Sequence, residues 1–160
     1  MTLREFYLER RRAEAPVFLS VLNALPADRL SYQPHDRSPS AGQIVWTLTS
    51  ELSACLDAAT RFRAEWKVEP LPSLREMVEL FERRSNELMD AVAKMDETSW
   101  NRVAQFYYNG KVVSEQPIGQ FLWYIHFDAI HHRGQLSAYL RPMGARVPSI
   151  YGPSADSRPM

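Results

Sequence analysis

The chain has 160 residues, 45% of them hydrophobic, with 19 basic and 19 acidic side chains and a formal net charge of +0. That length suits one domain, 1–160, with a core of its own, and the charge balance offers no basic surface to nucleic acid or to an anionic membrane. A single cysteine, Cys55, excludes an internal disulfide; no run reaches the ~18 apolar residues of a membrane span; and the N-terminus MTLREFYLERRR has no apolar signal region, so a cytoplasmic location is expected.

The first helix runs from Thr2 to about Ala24. Thr2 and Glu5 have capping-box spacing, and Leu3, Phe6, Tyr7, Val17, Val21 and Ala24 supply a face to bury. Pro16 removes a backbone donor and is expected to bend or divide this helix. Arg10, Arg11 and Arg12 read as a solvated face. Leu25 to Pro39 is a connection rich in proline and turn residues. His35, within it, reads as a surface or loop-packing residue.

A second capping box, Ser40 with Gln43, opens a helix expected to reach about Trp66. Ile44, Leu48, Leu52 or Cys55, Ala59 and Phe62 form its buried stripe, with Thr47 and Glu51 one turn apart beside it. Cys55 reads as a small packed hydrophobe. Lys67 to Pro72 is a linker. Ser73 with Glu76 caps a third helix, to about Met95, whose core face is Leu74, Met77, Val78, Phe81, Leu88, Val92 and Met95. Asn109-Gly110, between Val103–Tyr108 and Lys111–Val113, signals a hairpin. An isolated hairpin is marginal in water, so it must lean on the helices or on another subunit.

The last helix spans Pro117 to Arg141. Ile118, Leu122, Ile125, Ala129, Leu136 and Leu140 recur in steps of three and four and draw one apolar stripe. Gly144 is placed to cap its end, and the tail from Val147 is irregular. The expectation is an all-α four-helix bundle with a short hairpin before the last helix, crossing over if the long connections require it.

The chemistry gathers on that last helix. Asp128 and His132 stand four residues apart on the inward side, a spacing that brings a carboxylate and an imidazole to one point. His126 reads as off the stripe, and His131 points about 100° away from His132. A divalent metal needs a third protein group, and the second helix offers Thr47 or Glu51. A threonine hydroxyl is a poor ligand; a glutamate is chemically sound. Without metal, Asp128 and His132 can hydrogen-bond each other, or Asp128 can pair with Arg133.

The segment HHRGQLSAYLRPMG followed by VPSIYGPS, together with SAGQIVWTLTSE and LPADRLSYQPHDRSPS, resembles the DinB family of damage-inducible-like, or YfiT-like, proteins. The resemblance covers most of the chain. It implies a four-helix bundle with a divalent-metal pocket, commonly a homodimer, and in some members a metal-dependent transferase acting with a low-molecular-weight thiol such as bacillithiol, mycothiol or glutathione. The family's three-histidine set falls on Thr47, Asp128 and His132, so two imidazoles are replaced here. The pocket is therefore expected from Thr47, Asp128 and His132. Glu51, Asp128 and His132 would be the ligands to Zn, Ni or Mn, and Glu51 alternatively a catalytic base. A small thiol or other small molecule would be the substrate. The competing expectation is a non-catalytic bundle that binds a small molecule or protein partner after losing the metal.

Overall fold

The three capping boxes form as their spacing requires. In the computed structural model, which describes residues 1–66 and 69–157, Thr2 Oγ1 accepts from the Glu5 amide at 3.1 Å while the Glu5 carboxylate accepts from the Thr2 amide at 2.7 Å. The same reciprocal pairs start the next two long helices at Ser40–Gln43 and Ser73–Glu76. The elements are α1 (Leu3–Asn23), α2 (Ala41–Arg61), β1 (Arg63–Trp66), α3 (Leu74–Ala93), a one-turn α4 (Glu97–Asn101), β2 (Val103–Tyr108), β3 (Lys111–Pro117) and α5 (Ile118–Leu140), with a 3-10 turn at Ala27–Arg29 in the first connection. Pro16 sits inside α1 without dividing it.

The second helix stops earlier than its apolar pattern suggests. Phe62 takes a left-handed conformation at φ 59°, its amide bonding back to the Ala58 carbonyl at 3.1 Å. The chain then leaves as β1 and pairs in parallel with β2, Arg63 opposite Gln105 and Ala64 opposite Phe106. The Asn109-Gly110 hairpin forms with positive φ at both residues (48° and 75°), and β3 lies antiparallel to β2. The protein is mostly helical, as expected, and β1 extends the expected hairpin into a small three-stranded sheet, order β1-β2-β3. The linker expected at Lys67 to Pro72 begins on two residues outside those described.

Helix α1 packs against α3 and α5, and so does α2, which also carries β1. All six stripe residues of α5 are buried. Gly119 lets this helix close on Trp100: a Cβ there would lie 2.2 Å from the indole. On α1 the buried face is rotated from the expected one. Leu3 and Phe6 are exposed, while Tyr7, Leu8, Phe18 and Leu22 are enclosed. Cys55 is free and buried, and burial pushes its thiol pKa up.

The rotation of α1 carries charge into the core. Arg11, expected on a solvated face, is 2% exposed. It donates to Ser85 Oγ and to His126 Nδ1, each at 3.3 Å. Glu14, one turn on, pairs with the buried Arg133 of α5 and accepts from the Tyr151 hydroxyl of the tail. Arg133 is therefore committed to Glu14 and unavailable to Asp128. Among the described residues no helix is long and apolar enough to cross a membrane.

Candidate metal centre and adjoining cavity

Helices α2 and α5 run side by side, and the sheet packs over one end of their contact. α2 presents Thr47 and Glu51; α5 presents Asp128 and His132. One ligand atom from each of Glu51, Asp128 and His132 lies within 4.8 Å of the others. Thr47 lines the same cavity, and its hydroxyl donates to the Gln43 carbonyl at 3.0 Å within its own helix.

Glu51 is 2% exposed, and its Oε2 has no hydrogen-bond partner among the described residues. Burial, then the hydrogen bond and negative charge of Asp128, push its carboxyl up to about 9, against a weaker pull from Arg11. Without a cation nearby, Glu51 keeps its proton at neutral pH.

His132 is oriented from its other side. Gln135 Oε1 lies 2.9 Å from Nδ1; an amide oxygen only accepts, so Nδ1 carries the hydrogen. Nε2 faces Asp128 Oδ2 at 3.4 Å. In the neutral ring a lone pair therefore confronts a carboxylate oxygen, an arrangement satisfied by a proton or a cation between them. With the orphaned Glu51 oxygen, this gives two carboxylates and one imidazole converging on one point. That set fits a divalent cation with mixed oxygen and nitrogen preference and leaves coordination positions open. Gln135 escaped the sequence reading, although its place three residues after His132 on one helix face was a usable signal.

Beside the trio opens a cavity of about 720 Å³. Its walls include Trp66 from β1, Phe106, Tyr107 and Tyr108 from β2, and Phe121 and Tyr124 from α5, with Glu51 and Asp128 also on the wall. Phe106 and Phe121 pack at 3.8 Å between ring centroids. The remaining histidines lie elsewhere. His35 is exposed, its Nδ1 accepting from the Arg37 amide at 3.1 Å, and His131 is exposed. His126, expected off the apolar stripe, is instead 2% exposed in the core, and burial followed by the charge of Arg11 depresses its pKa to about 4.

The DinB family profile matches residues 2–158. This chain belongs to the DinB family. It is 23% identical over 154 residues to the uncharacterized protein YrdA of Bacillus subtilis, covering 95% of this chain and 90% of YrdA. Among solved structures, a DinB-like protein of Bacillus cereus superposes with a TM-score of 0.73 at 20% identity, over 92% of this chain and 97% of its own. The DinB-like protein YjoA of Bacillus subtilis does so with a TM-score of 0.69 at 17% identity, over 95% and 99%. These likenesses establish a DinB-like fold. The convergence of Glu51, Asp128 and His132 is a property of this DinB chain's own residues.

Proposed function

We propose that this protein is a metal-dependent enzyme of the DinB type, built on a four-helix bundle, with Glu51, Asp128 and His132 as ligands to one divalent cation (Zn, Ni or Mn). The observation that carries the reading is the convergence of those three ligand atoms within 4.8 Å, one of them a buried carboxylate oxygen without a partner. A cation bound there would supply Lewis acidity to activate a thiol or water. The chain's own residues do the rest. Gln135 holds the His132 ring with Nε2 turned toward Asp128. Glu51, buried and proton-bearing, is placed to release that proton as a cation enters, or to exchange it with a thiol or water in the cavity. The aromatic walls position a substrate. On this reading the reaction class is transfer to or from a small thiol, or hydrolysis; the protein is a cytoplasmic homodimer, and neither nucleic acid nor membrane is a partner.

The test is metal retention. Protein incubated with excess Zn, Ni and Mn and then desalted is expected to hold about one equivalent of one of them, to melt at a higher temperature, and to lose both effects in Asp128→Ala and His132→Ala. Retention of none of the three metals, with no thermal shift, overturns the reading. The second reading, a non-catalytic binding protein, draws on one observation. Thr47 stands where the family resemblance expects an imidazole, and its hydroxyl is spent inside its own helix. On that reading the same two variants change stability while metal content stays at zero in every sample.

A further inference from the structure

We propose that the outward face of α5 is a docking surface for a second copy of this chain, the two helices lying antiparallel with His131 at their crossing. This deepens the homodimer reading above and rests on it. The first argument is the charge of the helix. Of the 23 residues of α5 only Asp128 and Arg133 carry charge, and both are used inside the chain, in the trio and on Glu14. A surface helix ordinarily covers its outer side with charged groups, and α3 does so, with eight acidic or basic residues among its 20. Yet Gln120, Tyr124, Phe127, His131, Gly134 and Ala138 of α5 are exposed. They alternate in steps of four and three, the spacing of a seam shared by two helices. Tyr124 is 65% exposed and Phe127 63%. Phe127 stacks on Trp123, and Trp123 packs against Phe6 of α1, so the apolar surface widens toward that helix.

The second argument is Gly134. Glycine inside a helix weakens it relative to alanine. Gly119 has a reason within the chain, the Trp100 indole set against it; Gly134 has none among the described residues, because a Cβ built there meets nothing within 4 Å. Its bare backbone is a notch that the chain itself leaves unfilled. The third argument is register, and it selects the occupant. The large side chains of the seam, Tyr124 and Phe127, precede His131; the small residues, Gly134 and Ala138, follow it at nearly the same intervals. Parallel copies would set ring on ring and notch on notch. Antiparallel copies set Phe127 on the partner's Gly134 and Tyr124 on the partner's Ala138, and a two-fold axis repeats both contacts. The seam's lack of charge removes the repulsion that a charged face meets from its own copy across such an axis. Tyr124 also walls the cavity beside Glu51 and Asp128, so the pairing brings the partner's helix to the edge of each cavity.

Light scattering on the full-length protein reads the mass, and paired cysteines read the register. The mass is expected at twice the 18.5 kDa of one chain. Tyr124→Cys and Ala138→Cys, equilibrated together and then oxidised, are expected to cross-link to each other and neither to itself, because like positions lie about 21 Å apart along antiparallel helices that rise 1.5 Å per residue. Cys55 is buried and does not compete. Gly134→Leu fills the notch without meeting its own chain. It is expected to weaken dimerisation at least about tenfold while its helical circular dichroism stays that of wild type. A mass of one chain at every concentration overturns both the homodimer reading and this face. A dimer in which each cysteine variant links only to itself, in which neither links, or which Gly134→Leu leaves intact overturns this face alone and leaves the homodimer reading standing.

Discussion

Glu51 is the residue on which the site's chemistry turns, and its environment makes a signed prediction. The folded, metal-free protein keeps a proton on Glu51 up to about pH 9, whereas the unfolded chain releases it near the ordinary value of 4.5. Between those values the folded state binds more protons, so stability falls as pH rises. His126 acts oppositely lower down. Its folded pKa of about 4 against an ordinary 6.5 means that stability rises with pH across that interval. The two slopes oppose each other below pH 6.5, leaving a clean decline from 6.5 to 9. Denaturant melts of the EDTA-treated protein are expected to lose about 1.4 kcal/mol per pH unit there. Glu51→Gln is expected to be flat over the same range. A wild-type profile as flat as the variant's would contradict the assignment of a neutral, buried acid.

The pair on α5 was legible because carboxylate and imidazole lie one turn apart on an apolar stripe. Glu51 was legible only as a chemically acceptable third ligand. Its complete burial was not, because burial depends on where the sheet packs. Arg11 shows the limit from the other side. It falls one turn after Tyr7 and seven residues before Phe18, both enclosed, so periodicity alone places it inward; its charge argued for solvent and lost to the hydrogen bonds it donates to Ser85 and His126.

At the scale of elements, local signals did well wherever the cause was local. The capping boxes and the Asn-Gly turn each carry their geometry in a few residues. The end of α2 does not. Phe62 adopts a left-handed conformation without glycine's freedom, and FRAEW reads as a continuing helix. What holds Arg63–Trp66 as a strand is parallel pairing with β2, some forty residues later in the chain, a non-local partner that no window over α2 contains. This strand matters to function, since Trp66 reaches the cavity through it.

Close approach of elements is also specific. Gly119 sits on the first turn of α5 against Trp100 of α4, and an added methyl would overlap the indole ring rather than the far end of a flexible chain. Gly119→Ala is therefore expected to destabilise by about 3 kcal/mol, seen as a lowered denaturant midpoint with unchanged slope. A change within about 0.5 kcal/mol would show that the α4–α5 contact is loose.

Across the whole molecule, the ends of the chain are tied through the core. Glu14 of α1 and Arg133 of α5 form a buried pair, the exposed Tyr151 of the tail hydrogen-bonds it from the surface, and the Arg133 guanidinium lies 4.7 Å from the Phe18 ring centroid. A buried pair of this kind is costly to break one-sidedly, because the surviving charge stays in the interior. Arg133→Ala is expected to cost about 3–5 kcal/mol, and removing both charges as Arg133→Met with Glu14→Leu is expected to restore most of that loss. Equal instability in the single and double variants would count against the pairing. None of this was readable from spacing, because the partners are separated by more than a hundred residues. Composition and periodicity gave the predominance of helix, and the capping boxes, apolar stripes and Asn-Gly turn gave the order of elements. The addition of β1 to the hairpin and the internal charges came from contacts distant in sequence.

The central claim is that Glu51, Asp128 and His132 together hold a divalent cation, and it couples metal to protons. The most direct measurement is a calorimetric titration of Zn into the EDTA-treated protein at pH 7 in two buffers of different ionisation enthalpy. The prediction is one equivalent bound with release of about one proton, because a cation must displace the proton that Glu51 carries. In Glu51→Gln that release is expected to vanish and affinity to fall by about tenfold or more. Zn binding in wild type without buffer-dependent heat, or no binding at all, would contradict the account.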